Sequence, residues 1–239
     1  MTKYLLIPVY NEANNIVKLS ESLRHYKSED LFLVFSDDYS TDQSVALLRE
    51  HFLDFQFHVI ENKINQGPGG AFNSGFEWVL NHSTGDDDLL ITMEADGTSD
   101  LKILPIMLNL AKAQFDLVLA SVYAQGGGFS STSLIRKLLS FAANMLFRVL
   151  FNVKVLTMSS FYRVYRLDFL RKMKKEESTL IEEKGFICML EVLLKAIRHN
   201  AKIIEVPMIL QSDLRVGKSK MKVMRTTFEY LNFLIKYKF

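Results

Sequence analysis

The 239-residue chain contains one cysteine, Cys188, so no disulfide can form within it. That usage fits a reducing compartment, and Cys188, set in Phe186-Ile187-Cys188-Met189-Leu190, reads as a small core residue. No stretch of 18 uninterrupted apolar residues occurs, which leads us to expect no transmembrane helix. The first residues pass directly into Tyr4-Leu5-Leu6-Ile7 without the pattern of a secretory leader, so none is expected. Neither sign of charge dominates. A formal net charge of +2 gives no global signal for nucleic acid, and basic residues must act locally. Internal repeats and low-complexity tracts are also missing, which excludes solenoids and tail-like segments. What remains is ordinary globular composition, 49% apolar and 23% charged, enough for one large domain or two small ones.

The first hundred residues alternate between strand-like and helix-like runs. Residues 3–7 read as a strand stopped by Pro8, followed by a polar turn, Val9-Tyr10-Asn11-Glu12, and a helix with Ile16, Leu19 and Leu23 at helical spacing. Leu31-Phe32-Leu33-Val34-Phe35 is apolar throughout, as a strand buried on both faces requires. Ser36-Asp37-Asp38-Tyr39-Ser40-Thr41-Asp42 follows, and Ser40 or Asp42 can cap a helix over 44–51. A third strand, 55–60, leads to Asn65-Gln66-Gly67-Pro68-Gly69-Gly70-Ala71 and a helix over 72–80. The fourth apolar run, Leu89 to Met93, ends in Glu94-Ala95-Asp96. This β-α-β-α-β-α-β order predicts an α/β domain with right-handed crossovers. All four polar loops then fall on one rim of the sheet, where open α/β folds bind ligands.

In an extended segment residues i and i+2 point the same way, so Glu94 and Asp96 leave the strand together. Mg²⁺ typically takes one or two carboxylates plus substrate phosphates, so the pair reads as a metal site for a nucleotide diphosphate; alternatively, both acids are solvated at a strand end. Gly67, Gly69 and Gly70 allow close backbone approach ahead of a helix N-terminus, or they form a plain helix-start turn. The stretch is neither G-x-G-x-x-G nor a P-loop, which disfavours dinucleotide and P-loop sites.

The second half begins near Asp100, with Pro105 near a helix start and a strand over 116–121. Gly126-Gly127-Gly128 and Ser130–Ser133 suggest a lid-like loop. The segment 134–151 is an amphipathic helix with Arg136, Lys137 and Arg148. It suits a membrane surface, or an apolar face packed into the domain. Residues 159–166 read as a strand centred on Arg163, and 186–199 as a helix in which Glu191 must be paired or face a cleft. A strand over 203–206 is stopped by Pro207. Arg215, Lys218, Lys220 and Lys222 surround Gly217 in a basic loop, a solvated charge run unless a ligand claims it. A final helix, 223–237, carries aromatics beside cations, as a membrane interface favours.

Seven segments, IPVYNEANNI, SDDYSTDQS, NQGPGGAFNSG, MEADG, SSFYRVYR, EVP and RVGKSKMK, stand in an order and spacing that resembles the family 2 glycosyltransferases, and within them the dolichol-phosphate mannosyltransferase-like, polyprenyl-phosphate glycosyltransferase group. The resemblance covers about residues 4–225. It implies a GT-A nucleotide-diphospho-sugar transferase fold, with a mostly parallel central sheet flanked by helices. One domain is expected, with a nucleotide-sugar half over 1–100, an acceptor half over 101–222 and a C-terminal amphipathic helix over 223–239.

By the same resemblance, Pro8, Tyr10, Asn11, Glu12, Asp37, Asp38, Gly69, Ala71, Glu94, Ala95 and Asp96 bind the nucleotide sugar, and Glu94 and Asp96 carry a divalent cation, Mg²⁺ or Mn²⁺. Arg163, Arg215, Ser219 and Lys220 bind the acceptor phosphate of a polyprenyl lipid, and Asp96, Glu94 and Arg163 form the catalytic set. The implied reaction is metal-dependent and inverting. Transfer to a glycan, or nucleotide-sugar binding with weakened catalysis, are the alternatives. The implied partners are a nucleotide-diphosphate sugar, a polyprenyl phosphate and a membrane surface or membrane protein, with no nucleic acid, and the implied location is cytoplasmic and peripheral at the membrane. The chain departs from the family pattern at Glu94 and Thr157, where Asp is usual, and at Tyr39 and Phe161, where Gly is usual. These changes are expected to crowd the acceptor side.

Overall fold

The computed structural model describes residues 1–216 and 223–236. In chain order the elements are β1 (Lys3–Val9), α1 (Ala13–Arg24), β2 (Leu31–Asp37), α2 (Ser44–His51), β3 (Gln56–Glu61), α3 (Gly67–His82) and β4 (Leu89–Thr92). There follow α4 (Leu104–Lys112), β5 (Leu117–Ser121), β6 (Gly128–Phe129), α5 (Leu134–Leu150), β7 (Arg163–Arg166) and α6 (Leu167–Glu176). The chain continues with α7 (Cys188–Arg198), β8 (Ile203–Pro207), β9 (Ile209–Leu210) and α8 (Val223–Lys236). Single 3₁₀ turns at Leu101–Ile103 and Ser212–Leu214 precede α4 and follow β9.

Seven strands form one sheet in the order β3-β2-β1-β4-β7-β5-β8, and a small parallel pair joins β6 to β9. The main sheet is parallel except for β7, which runs antiparallel to both β4 and β5. Alternation along β1 divides the core. Leu5, Ile7 and Val9 pack with α1, α2 and α4 on one face, while Tyr4 and Leu6 pack with α3, α5, α6 and α7 on the other. Burial on both faces explains why β1, β2 and β4 read as unbroken apolar runs.

Several boundaries differ from expectation. Pro8 does not end β1; it stays in register with Ser36 of β2. Leu6 O accepts from Met93 N and Val9 O accepts from Asp38 N, so alternation turns the Pro8 nitrogen toward β4, beyond the last β1–β4 pair, where no donor is needed. Helix α3 starts at Gly67 instead of Phe72, so the glycine stretch is its first turn, with Pro68 in a position compatible with a helix start. Gly128, expected in a free lid, pairs with Ile209. Arg163 begins β7 rather than centring it.

The apolar face of α5 is solvent-facing. Leu134, Leu138, Phe141, Met145 and Val149 recur at helical spacing, between 47% (Met145) and 77% (Leu134) exposed, while Asn144 and Phe147 point inward. Helix α8 behaves oppositely at its aromatics. Phe233 is buried and Tyr230 lies 4.9 Å from the Phe147 ring. Tyr237, expected in that helix, lies outside the described residues.

Glu191 is paired, as its burial demands. Lys195 Nζ lies 2.8 Å from Glu191 Oε1, and the backbone N–H groups of Glu182 and Glu183 donate to the carboxylate at 2.9–3.0 Å. The chain thus held at 182–184 forms the seat of α3. Gly69 N donates to Lys184 O at 2.9 Å, and a Cβ on Gly69 would stand 1.8 Å from Glu183 O. Because that obstacle is backbone, Gly69→Ala is expected to lower stability by about 1–3 kcal/mol, measured by urea unfolding. An unchanged midpoint would show that the 182–184 seat yields freely.

Candidate active site

The C-terminal ends of β2, β1 and β4 lie side by side, and their loops form a crevice held together by side chains. Asn11, in a left-handed conformation at φ 51°, accepts from Thr41 N at 2.8 Å and donates its own N–H to Ser40 Oγ at 2.9 Å. Glu12 N donates to Ser44 Oγ at 2.8 Å. Asp42 Oδ1 accepts from Ser44 N at 2.9 Å, but the N-cap of α2 is Gln43, without a side-chain cap bond, so neither Asp42 nor Ser40 takes the expected capping position; Ser40 serves Asn11 instead. The loops after β1 and β2 therefore form one unit.

Asp37 and Asp38 are both buried at the end of β2. Asp37 Oδ2 accepts from Ser40 N, while Asp37 Oδ1 has no protein partner. Asp38 Oδ1 accepts from Gln66 N at 2.8 Å, tying β2 to the turn before α3, and burial pushes its carboxyl above the usual range. Tyr10 is exposed on the rim, and Pro8 is half-buried. Gly69 and Ala71 are buried in the first turn of α3, with Gly69 against the 183–184 backbone rather than open to the crevice. Tyr39 keeps a left-handed backbone, φ 66°, where the family pattern has Gly. Its side chain is exposed at the end of β2, next to Asp38. Phe161, half-buried, is stacked on Phe72, and Thr157 is buried against Ser121 Oγ at 2.7 Å.

The acidic pair leaves β4 as its spacing predicts. Ala95 between them is buried, Glu94 is half-buried, and Gly97, at φ 75°, turns the chain after Asp96. Asp96 Oδ1 accepts from Thr98 Oγ1 at 2.7 Å and Thr98 N at 3.1 Å. Its other oxygen, Oδ2, lies 2.6 Å from Arg215 Nε and 2.5 Å from Arg215 Nη2. Arg215 therefore reaches Asp96 across 119 residues of sequence. Burial, then the charge of Asp96, push the Glu94 carboxyl up to about 8; Arg215 opposes this and Glu12 adds to it.

Arg163 is buried within the protein. Its guanidinium is fully buried and donates to Ser160 O at 2.7 Å, Met158 O at 2.8 Å and Tyr165 Oη at 3.2 Å. As the chain stands, Arg163 holds the 158–160 turn and meets no solvent. Ser219 and Lys220 lie outside the described residues.

Three supporting residues receive no individual role from the sequence, although Asn15 and Glu205 stand inside the IPVYNEANNI and EVP segments. Thr98 had a local signal, a hydroxyl two residues after an aspartate. Asn15, which donates to Glu12 Oε2 at 2.5 Å and accepts from Val216 N at 3.3 Å, had none, because its second partner is 201 residues away. Glu205 caps Leu156 N and Thr157 N at 2.8 and 2.9 Å, again across a distance no local pattern reports.

Among the described residues no group of three or more His, Cys, Asp and Glu forms a metal cage. Two carboxylates do fit a cation that arrives with phosphate oxygens. A guanidinium already bonded to Asp96 Oδ2 shows that the position accepts positive charge. Without a cation, Glu94 keeps its proton to about 8 in the folded chain, against an ordinary 4.5. The folded state then binds more protons than the unfolded one between those values, so stability falls as pH rises through that interval. Denaturant titrations of chelator-treated protein at pH 5 and pH 8 should show this loss in the wild type and a smaller one in Glu94→Gln; equal slopes would refute the shift.

Residues 4–174 match the family model of glycosyl transferase family 2. The chain is 29% identical over 219 residues to a polyprenol monophosphomannose synthase of Mycolicibacterium smegmatis, covering 91% of this chain and 80% of that protein. It is 30% identical over 219 residues to an undecaprenyl-phosphate mannosyltransferase of Micrococcus luteus, covering 90% and 86%. Among solved structures, glucosyl-3-phosphoglycerate synthase from Mycobacterium tuberculosis, in complex with Mn²⁺, UDP and glucosyl-3-phosphoglycerate, superposes with a TM-score of 0.67 at 15% identity, covering 96% of this chain and 76% of that one. That likeness concerns the fold, which is GT-A, as the motifs implied. The family match takes in every rim loop from Pro8 to Asp96 together with β7, and the chain belongs to glycosyl transferase family 2.

Proposed function

We propose that this glycosyltransferase transfers a sugar, with inversion, from a nucleotide-diphosphate sugar to a polyprenyl phosphate. The observation that carries the reading is the meeting of Asp96 and Arg215, which brings an acidic cation site and a phosphate-binding guanidinium to one point of the crevice. The names of the two curated relatives, a polyprenol monophosphomannose synthase and an undecaprenyl-phosphate mannosyltransferase, support this acceptor class.

Roles follow from chemistry. Asp37 and Asp38, acceptor-only when ionised, suit the N–H and O–H donors of a base and ribose, and Asp37 Oδ1 is still without a partner. Pro8, Tyr10, Asn11 and Glu12 wall the same cleft, and the first turn of α3, with Gly69 and Ala71, backs it. Glu94 and Asp96 hold the divalent cation, Mg²⁺ or Mn²⁺. When bound, that cation supplies Lewis-acid neutralisation of the diphosphate leaving group. Arg215, with Ser219 and Lys220, takes the acceptor phosphate, for which Arg offers paired, charge-assisted donors. Since that phosphate is already anionic, it can attack the anomeric carbon without a strong general base. Arg163 acts through the 158–160 backbone it holds.

The acceptor lipid requires a membrane, and the exposed stripe of α5 suits a peripheral location at the cytoplasmic face, through direct contact or a membrane partner. Among the described residues no helix is long and apolar enough to cross a bilayer. A contiguous apolar face of this kind marks an interaction surface.

Asp96→Asn should weaken metal-dependent binding of the nucleotide sugar, measured by calorimetry, by at least about a hundredfold, beyond the roughly 10–100-fold cost of losing an outer partner of a metal ligand. Unchanged affinity with metal present would remove the metal assignment. In flotation with anionic liposomes at low salt, the wild-type chain should rise with the vesicles, and Leu138→Glu should reduce the bound fraction about tenfold or more. A wild-type chain that stays at the bottom of the gradient would end the α5 idea.

A further inference from the structure

The segment 211–216 lies across the acidic pair. Gln211 N donates to Thr98 O at 3.0 Å, Lys18 Nζ reaches Leu214 O at 3.4 Å, and Val216 is linked to Asn15 by bonds of 3.3 and 3.4 Å. These tethers are backbone or amide contacts and one ammonium-to-carbonyl contact, at ordinary to long distance. The Arg215–Asp96 contact differs: it is short, charge-assisted and made by two guanidinium nitrogens to one oxygen, Oδ2. Thr98 occupies Oδ1, so neither Asp96 oxygen is without a partner. Arg215 therefore stands on the oxygen that a cation would need, and the two donors it gives Asp96 cannot at the same time serve an acceptor phosphate.

We propose that Arg215 is a placeholder cation. It neutralises Asp96 while the crevice holds no divalent metal, and it is released to an acceptor phosphate when a divalent cation takes Oδ2. The inference rests on the function proposed above and adds an order of loading: metal first, acceptor phosphate second. One carboxylate oxygen cannot keep a guanidinium at 2.5–2.6 Å and a metal ion together, because the two cations would repel across a partly desolvated gap. The freed guanidinium gains a new anion in the acceptor phosphate. Thermodynamic linkage then makes the effect reciprocal: the factor by which metal tightens phosphate binding equals the factor by which phosphate tightens metal binding. An apolar side chain at 215 would relieve the competition and abolish the coupling together.

The test is Mn²⁺ titration of the full chain, read from the spin-resonance signal of free Mn²⁺, with and without citronellyl phosphate as a short polyprenyl phosphate. Asp96→Asn serves as the control for chelation by the phosphate itself. In the wild type, citronellyl phosphate should tighten Mn²⁺ about fivefold or more, at the low end of usual coupling factors. Arg215→Met should bind Mn²⁺ about fivefold or more tighter than wild type without phosphate, and its coupling should fall below about twofold. Arg215→Met that binds Mn²⁺ no tighter than wild type, or keeps the coupling, overturns the placeholder while leaving the metal-dependent reading intact. No Mn²⁺ binding by either protein overturns both. A second readout is independent of the Met variant: the Nε–H resonance of Arg215, assigned by its loss in Arg215→Lys, should move and exchange faster when Mg²⁺ is added. A resonance that Mg²⁺ leaves unmoved and protected counts against release.

Discussion

A charge withdrawn from water must meet an opposite charge or a set of hydrogen bonds, and this glycosyltransferase is arranged around three such charges. Glu191 is answered by Lys195 and two backbone N–H groups, Arg163 by two carbonyls and a tyrosine hydroxyl, and Asp96 by Thr98 and Arg215. None of these pairings is decoration. Glu191 fixes residues 182–184, on which the first turn of α3 rests, and that turn carries Gln66 against Asp38. Arg163 fixes the 158–160 turn beside β4, whose end bears Glu94 and Asp96.

These supports divide by consequence. Those of Glu191 and Arg163 are complete within the protein, so their loss would be felt as stability and alignment. Those at the rim are incomplete or exchangeable. Asp37 Oδ1 has no protein partner, Glu94 is held protonated by burial and by its neighbour, and the cation on Asp96 is a side chain from a distant loop. Groups left in such a condition are suited to a ligand that brings cation and phosphate together, which a nucleotide-diphosphate sugar with its metal does.

Much of this was legible in the chain. The apolar runs at 31–35 and 89–93 had to be buried strands, and i, i+2 spacing had to send Glu94 and Asp96 off one edge together. The errors were local. Pro8 reads as a stop in the sequence, because its place in the ladder depends on which neighbour faces its nitrogen. The glycine stretch reads as a turn before a helix, because the carbonyl of Glu183 that requires Gly69 comes from a segment far away in sequence. The apolar face of α5 was undecided between membrane and core, and only the packing of Phe147 and Asn144 inward left the Leu138 and Phe141 side facing solvent. Arg163, expected on a phosphate, proved to be internal, since charge in a strand does not reveal which face the strand turns inward.

By itself, then, the sequence determined the α/β alternation, the rim on which the polar loops gather, the acidic pair and the family, because these follow from periodicity and short-range spacing. Tertiary structure alone decided which charges meet. Arg215 and Asp96 are separated by 119 residues, and Asn15 and Val216 by 201. No pattern of near neighbours encodes such distances; they arise only when the sheet order brings β4, α1 and the loop after β9 to one edge, where the strength of an ion pair depends on how much water has been excluded between its partners.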